Sequence, residues 1–429
     1  MQIFEIIALL TTLAALFSYL NHRFIRLPTT IGLMLISLLM SLSLIVGHYL
    51  GIHLESSAER IVTQIDFSHT LLQGMLSFLL FAGALHVNLD DLLAQKWAIG
   101  IFATLGLLCS TALVGGAMFV LLNAIGLPTP LLACLVFGAL ISPTDPIAVL
   151  GLLKQANVPK SLETNITGES LFNDGIGVVI FLVLLEMLTG EHHFDVRHIG
   201  QLLLQEAFGG AILGLALGWF TYHLLKTIDN YQVEVLLTLA LVTGGYALAS
   251  ALHMSGPLAI VAAGLLIGNR GRTLGMSDTT REHLDTFWEL IDEILNAILF
   301  VLIGLEVLIV PLQTNYLMAA ALAIPVVLCA RFLSIGLPVS LARARRPLAK
   351  NTTTILTWAG LRGGISVALV LALPAGPERA LFLTSTYAVV VFSIIVQGLT
   401  LPALLRRTMA DQLQTSTACP DVENNTSLT

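Results

Sequence analysis

The sequence predicts an all-α polytopic membrane protein of about thirteen transmembrane helices, and three observations carry that expectation. Hydrophobic residues make up 56% of the 429 and charged residues only 11%, less charge than a soluble domain of this size needs on its surface. Mean hydropathy is +0.88, and apolar runs of roughly the 20 residues that cross a bilayer succeed one another along the chain, with polar joints between them. The third observation is a breach of the pattern. Inside two consecutive apolar runs the chain reads ISPTDPIAVLGLL and then ITGESLFNDGIGVVIFLVLL, which puts Asp145, Glu169 and Asp174 where a carboxylate is expensive.

Taken in order, the first run (2–20) has no basic leader and no small-residue cleavage site, so it reads as an uncleaved span. Runs at 29–50, 68–87 and 97–124 follow. The fifth (129–153) is broken where Pro143 and Pro146 flank Asp145 and remove two backbone donors. The sixth (165–189) carries Glu169 and Asp174, and the seventh is 199–226. Beyond it lie 232–252, a short 256–268, 284–310, 314–341, 351–374 and 379–405. The tenth is expected to begin as an amphipathic surface segment (REHLDTFWELIDEI) and to turn inward near Leu295. The twelfth is interrupted at Gly360-Leu361-Arg362-Gly363-Gly364. The membrane domain is therefore 1–407, and 408–429, rich in Ser, Thr, Asn and Asp, reads as a short disordered cytoplasmic tail.

Charge placement gives an orientation. Alternate joints beginning with 21–27, together with the C-terminal side, hold fifteen of the twenty Lys and Arg residues; the opposite joints hold only Arg60, Arg197 and Arg379. By the positive-inside rule the N-terminus lies outside and the C-terminus in the cytoplasm. With the seventh span as a linker, spans one to six (2–189) and eight to thirteen (232–405) start from opposite sides, the pattern of two inverted six-helix repeats. The interrupted fifth and twelfth spans then occupy matched positions. In such an arrangement they cross near the midplane, offering half-helix dipoles and unwound carbonyls to a cavity.

On a helical sixth span Ser170 and Asp174 share one face, and Glu169 and Asn173 the adjacent one. The first stripe is assigned to an ion path with Thr144 and Asp145. Two hydroxyls, two carboxylates and free carbonyls are hard oxygen ligands suited to a small alkali cation, and no imidazole or thiolate cluster offers a transition-metal site. The second stripe is expected to face protein, with Arg362 as the partner of Glu169. Gly168, Gly175 and Gly177 allow close helix packing, while Gly363 and Gly364 break the twelfth span. Arg331 is expected to be paired or to reach an interface; Glu206, His86, His223 and His253 receive no assigned role. The four cysteines form neither a disulfide framework nor a metal spacing.

Two other classes fit poorly. An intramembrane aspartyl protease would carry Gly-x-Gly-Asp, and the chain has no Gly-Asp dipeptide. A cation channel needs a repeated filter-like segment, which is not visible. No cofactor and no nucleic-acid partner are called for.

SPTDPIAVL, TGESLFNDGIGVV and WAGLRGGISVALVLALP, in that order, closely resemble the monovalent cation/proton antiporters of the NhaP and animal Na+/H+ exchanger group, and LNAILFVLIGLEVL resembles their tenth-span region. The resemblance covers essentially the whole membrane chain. It implies thirteen helices in two inverted repeats with crossed interrupted helices, and a homodimer in the lipid bilayer. It implies exchange of Na+ (or Li+) for H+, with K+/H+ exchange as the alternative. Asp174 is then the central Na+-binding carboxylate, Asp145 its neighbour, Thr144 and Ser170 supporting ligands, and Glu169 with Arg362 a structural ion pair. In that group the Asn173-Asp174 order is associated with electroneutral exchange, and the resemblance further implies a place in a bacterial plasma (inner) membrane, in the service of pH homeostasis. One departure is Ala82, where some members of the group carry an acidic residue.

Overall fold

The computed structural model describes residues 3–50, 74–145, 149, 153, 158–190, 204–271, 276–311, 313–343 and 352–417, and every regular element among them is helical. Helices α1 (Ile3–Leu20) and α2 (Thr29–Tyr49) precede α3 (Leu76–Leu85), a short α4 (Leu89–Ala94) and the long α5 (Lys96–Ala124). Then come α6 (Leu131–Ile141), α7 (Lys160–Thr189), α8 (Leu204–Leu225), α9 (Tyr231–Ala251) and α10 (Gly256–Leu266). The chain continues through α11 (Asp278–Glu306), α12 (Thr314–Arg343), α13 (Thr352–Ala359) and α14 (Gly364–Leu371). It closes with α15 (Pro377–Phe392) and α16 (Gly398–Thr417), joined by a π-turn.

Helix starts at the polar joints are set by capping side chains. Asn230 accepts from the backbone N–H groups of Gln232 and Val233, and Ser277 from that of Thr280, each satisfying donors that a helix N-terminus leaves over. The main core draws side chains from α1–α3, α5–α7 and α11–α16, with Phe137 and Phe382 stacked at 5.0 Å. A second cluster locks α3 to α9, α10 and α11 around the fully buried Trp288.

Among the described residues eight helices are long and apolar enough to cross a membrane, nine if the bent pair α13–α14 counts as one. The chain is thus an integral, all-helical polytopic membrane protein. The expected fifth span ends as a helix at Ile141, because Pro143 cannot continue it. The twelfth is broken as expected, α13 and α14 meeting at 52°. Two expectations change. The tenth span does not turn at Leu295: α11 is one 29-residue helix, since neither Pro nor Gly interrupts it before Gly304. The tail expected from 408 begins as helix and stays helical to Thr417, built from residues such as Met, Ala, Leu and Gln that favour it; residues 418–429 lie outside the described ones.

Candidate functional site: the crossing of two broken helices

The site begins where two helices stop. After α6, residues Ser142 to Asp145 leave helical geometry; after α13, residues Gly360 to Gly363 do the same. Each break leaves carbonyls and amides without helical partners, and at this depth lipid cannot satisfy them. They satisfy each other. The Asp145 N–H donates to the Leu361 carbonyl at 2.8 Å. Arg362 Nη1 donates to the Pro143 carbonyl at 2.7 Å and also to the Ser142 carbonyl. Ser393 on the π-turn accepts from the Arg362 N–H at 2.9 Å, and Ser142 donates to Ser110 of α5 at 2.8 Å.

Close approach at the crossing depends on missing side chains. A Cβ on Gly363 would strike the Asp145 carboxylate, and one on Gly177 would strike the Pro143 ring. Gly168, Gly175 and Gly364 likewise face Ile99, Leu258 and Leu299 at distances that admit no Cβ without movement. Pro146, the second expected breaker, lies outside the described residues.

Helix α7 passes directly beside this crossing. Thr144 is held by three bonds: its N–H donates to Asn173 Oδ1 at 3.3 Å, its hydroxyl accepts from Asn173 Nδ2 at 2.9 Å, and it lies 2.9 Å from the Ser170 hydroxyl. Asn173 therefore faces protein, as expected of its stripe, and holds the break in place. Asp174, 5% exposed, points into a cavity of about 690 Å³ that Thr144, Asp145, Gly363 and Gly364 also line. Ser170 sits behind that wall, bonded to Thr144. Asp145 and Asp174 are thus brought to one cavity, with Thr144 beside them on its wall.

The expected Glu169–Arg362 pair is not formed. Glu169, 1% exposed, pairs with Arg331 of α12. Arg362 is committed to the carbonyls that the end of α6 leaves over, and Arg331 enters through the gap at Gly360, where a Cβ would lie 2.7 Å from its Nε. Glu169 is therefore buried, charge-paired with Arg331 and absent from the cavity wall.

The same cavity has walls that the sequence reading did not assign. Asp285, Glu289, Asp292 and Glu293 of α11 line it, with Asp91, Lys160 and Glu163 nearer the mouth. Lys160 Nζ and Asp91 Oδ2 are 2.6 Å apart there. The signal was present as acids on one side of α11 with Leu284 and Trp288 on the other, but it read as a helix lying on a surface. His86 lines the cavity too, its Nδ1 2.8 Å from the Ala82 carbonyl. Among the described residues no group of three or more His, Cys, Asp or Glu could hold a metal ion as a cage.

A family model for the transmembrane sodium/hydrogen exchanger domain matches residues 10–407. The chain belongs to the sodium/hydrogen exchanger family. It is 50% identical over 413 residues to the Na(+)/H(+) antiporter NhaP of Pseudomonas aeruginosa, covering 95% of this chain and 97% of that protein. It is 35% identical to the Na(+)/H(+) antiporter NhaH of Halobacillus dabanensis, over 90% of this chain and 93% of that one. The fold matches the structure of the sodium proton antiporter MjNhaP1 from Methanocaldococcus jannaschii with a TM-score of 0.74 and 20% identity, over 95% of this chain and all of that one. The exchanger-family membership agrees with the resemblance carried by the three motifs above.

Proposed function

We propose that this exchanger-family protein is a secondary antiporter that exchanges Na+ for H+ at the Asp145–Asp174 site, cation and proton competing for the same carboxylates. The observation that carries this is the shared cavity: both acids line one space at the meeting of two broken helices. The relatives at 50% and 35% identity are named Na(+)/H(+) antiporters. A bare carboxylate closed off in lipid costs several kcal/mol, so the site closes only when a proton or a cation neutralises it. Exchange follows from that cost, without a separate coupling device. Carbonyl, hydroxyl and carboxylate oxygens suit Na+ and Li+.

Finer features belong to the same proposal. Thirteen spans in two inverted repeats would let the crossed breaks and α7 move as a body against the remaining helices. The basic joints support a cytoplasmic C-terminus and a cavity open to the cytoplasm. A homodimer in a bacterial inner membrane and electroneutral exchange complete the reading.

The test is reconstitution in liposomes with an internal pH-sensitive dye. Stepped NaCl and LiCl should drive proton movement, and Asp174→Asn should abolish it. Near wild-type sodium-driven flux in Asp174→Asn refutes the site, and a response to KCl alone refutes the substrate.

A further inference from the structure

We propose that Glu306, at the end of α11 remote from the cavity, is a second proton-binding site, and that the far side of the protein closes only while it holds a proton. The inference rests on the antiport reading above and adds to it a group outside the ion site. The first half of α11 carries the acids of the cavity wall, whereas Glu306 is its last residue and lies off that wall. It is 1% exposed, and its Oε2 has no hydrogen-bond partner. Glu169, equally buried, has Arg331 as its counter-ion. The Tyr387 hydroxyl, within electrostatic reach of Glu306 on the facing helix α15, donates instead to the Ile303 carbonyl. A bare carboxylate enclosed in this way is costly, and a proton removes most of that cost.

The burial is conditional because of where Glu306 stands. The far end of α11 is fastened to α2: Ser37 Oγ donates to the Phe300 carbonyl at 3.3 Å and Ser41 Oγ to the Gly304 carbonyl at 2.8 Å. Helix α15 is fastened to the two breaks. Ser393, in the π-turn that follows it, accepts from the Arg362 N–H, and Phe382 stacks on Phe137 of α6. Two bonds join these bodies beside Glu306: Tyr387 to the Ile303 carbonyl, and Thr384 Oγ1 to the Pro311 carbonyl at 3.3 Å. When the breaks move against α2 and α11, as alternating access requires, these bonds open and Glu306 meets the solution opposite the cavity mouth. A proton lost there has to be regained before the carboxyl group is covered again.

The charges around the group are few. Arg379, half-buried on the first turn of α15, attracts the carboxylate. Glu378 stands beside it in sequence, α1 carries the exposed Glu5, and the described side chains of α2 and α14 bear no charge. Cavity-side pH therefore acts on the ion site, and far-side pH acts on Glu306.

The test is ²²Na+/Na+ exchange by the full-length protein in proteoliposomes, with equal pH and saturating Na+ on both sides. Saturating Na+ keeps protons off Asp145 and Asp174, so any remaining pH dependence reports another group, and equal pH makes the direction of insertion immaterial. In the wild type the maximal rate should fall as pH rises. The fall should approach about ten-fold per pH unit once Glu306 is mostly ionised, because each closure takes up one proton. Glu306→Gln should flatten the profile. Arg379→Gln should move the fall to higher pH, since it removes the cation that favours the carboxylate. A flat wild-type profile overturns the proposal, as does a Glu306→Gln profile that falls like the wild type. Should Glu306→Gln fail to fold, Arg379→Gln decides: a fall left in place, or moved to lower pH, overturns the site. Wild-type protein that moved no ²²Na+ would defeat the antiport reading and this inference with it, whereas exchange at a pH-independent maximal rate would defeat the Glu306 site alone.

Discussion

Arg362 Nη1 lies 2.7 Å from the carbonyl oxygen of Pro143, so a guanidinium in one broken helix completes the backbone of the other. The end of α6 leaves the Ser142 and Pro143 carbonyls without helical donors, and Arg362 fills both. The breaks are therefore a matched pair: remove the arginine, and Ser142 and Pro143 keep two buried carbonyls with no donor.

Arg362→Ala should accordingly lower the stability of the detergent-solubilised protein by a few kcal/mol, at about 1–3 kcal/mol for each buried acceptor left unpaired. Arg362→Lys should recover only part of this, because a flexible lysine stem does not hold its ammonium where the rigid guanidinium plane holds Nη1. Thermal unfolding followed by tryptophan fluorescence reads both. Equal stability of wild type and Arg362→Ala would remove the cross-brace from the account.

The pair on the other side of α7 makes a different prediction. Glu169→Gln leaves Arg331 buried beside Arg362 with no anion, and should cost about 3–5 kcal/mol. Arg331→Met alone strands the carboxylate, with a similar loss. The double variant removes both charges and should be more stable than either single one. A double-mutant cycle on unfolding midpoints measures the coupling. Additive losses would mean that the two side chains do not act as a pair.

Much of this was legible in the sequence because the anomalies stand out against an apolar background. Pro143, Asp145 and Asp174 each violate what a membrane span prefers, and the structure gathers them at one place. The partner of Glu169 was not legible. Two arginines were available, and the choice turned on Gly360 admitting Arg331 from α12, a contact between segments remote in sequence. The acids of α11 were misread for a related reason. Amphipathy says that one face of a helix meets water, but it does not say whether that water is bulk solvent or fills a cavity within the membrane domain.

Competition between proton and cation has a definite sign. Protons and Na+ exclude one another from the same carboxylates, so acidifying the cavity side should raise the apparent KM for Na+ while leaving the rate at saturating Na+ unchanged. With one proton per cation, the rise approaches about ten-fold per pH unit once the site is mostly protonated. Initial rates over a grid of pH and NaCl concentration test this. A maximal rate that falls with pH at constant KM would require separate proton and cation sites.

Gly363→Ala probes the site without touching a charge. The added methyl would strike the Asp145 carboxylate, so that side chain or the break must shift. Helix α14 is otherwise undisturbed, and the residue's φ of −133° is open to alanine. The expected outcome is a folded protein with a several-fold higher KM for Na+, since a displacement of about 1 Å at a coordinating group is costly. Unchanged transport kinetics would place Asp145 outside the cation's first contacts.

Asn173 yields a prediction that runs against a simple count of acids. An aspartate at 173 would put two carboxylates side by side on α7, and charge counting alone would make exchange carry a second proton and respond to voltage. The geometry argues otherwise. Asn173 is 1% exposed and is not on the cavity wall; its amide clamps Thr144 through a donor at 2.9 Å and an acceptor at 3.3 Å. A carboxylate there loses the donor, and a protonated one can restore it, so the new acid stays bound to Thr144 and does not exchange its proton with the cavity. Asn173→Asp should therefore raise the KM for Na+ by loosening Thr144 while exchange stays insensitive to an imposed potential. Valinomycin-clamped proteoliposomes decide the matter: a rate in Asn173→Asp that follows the potential would show that residue 173 reaches the transported ions directly.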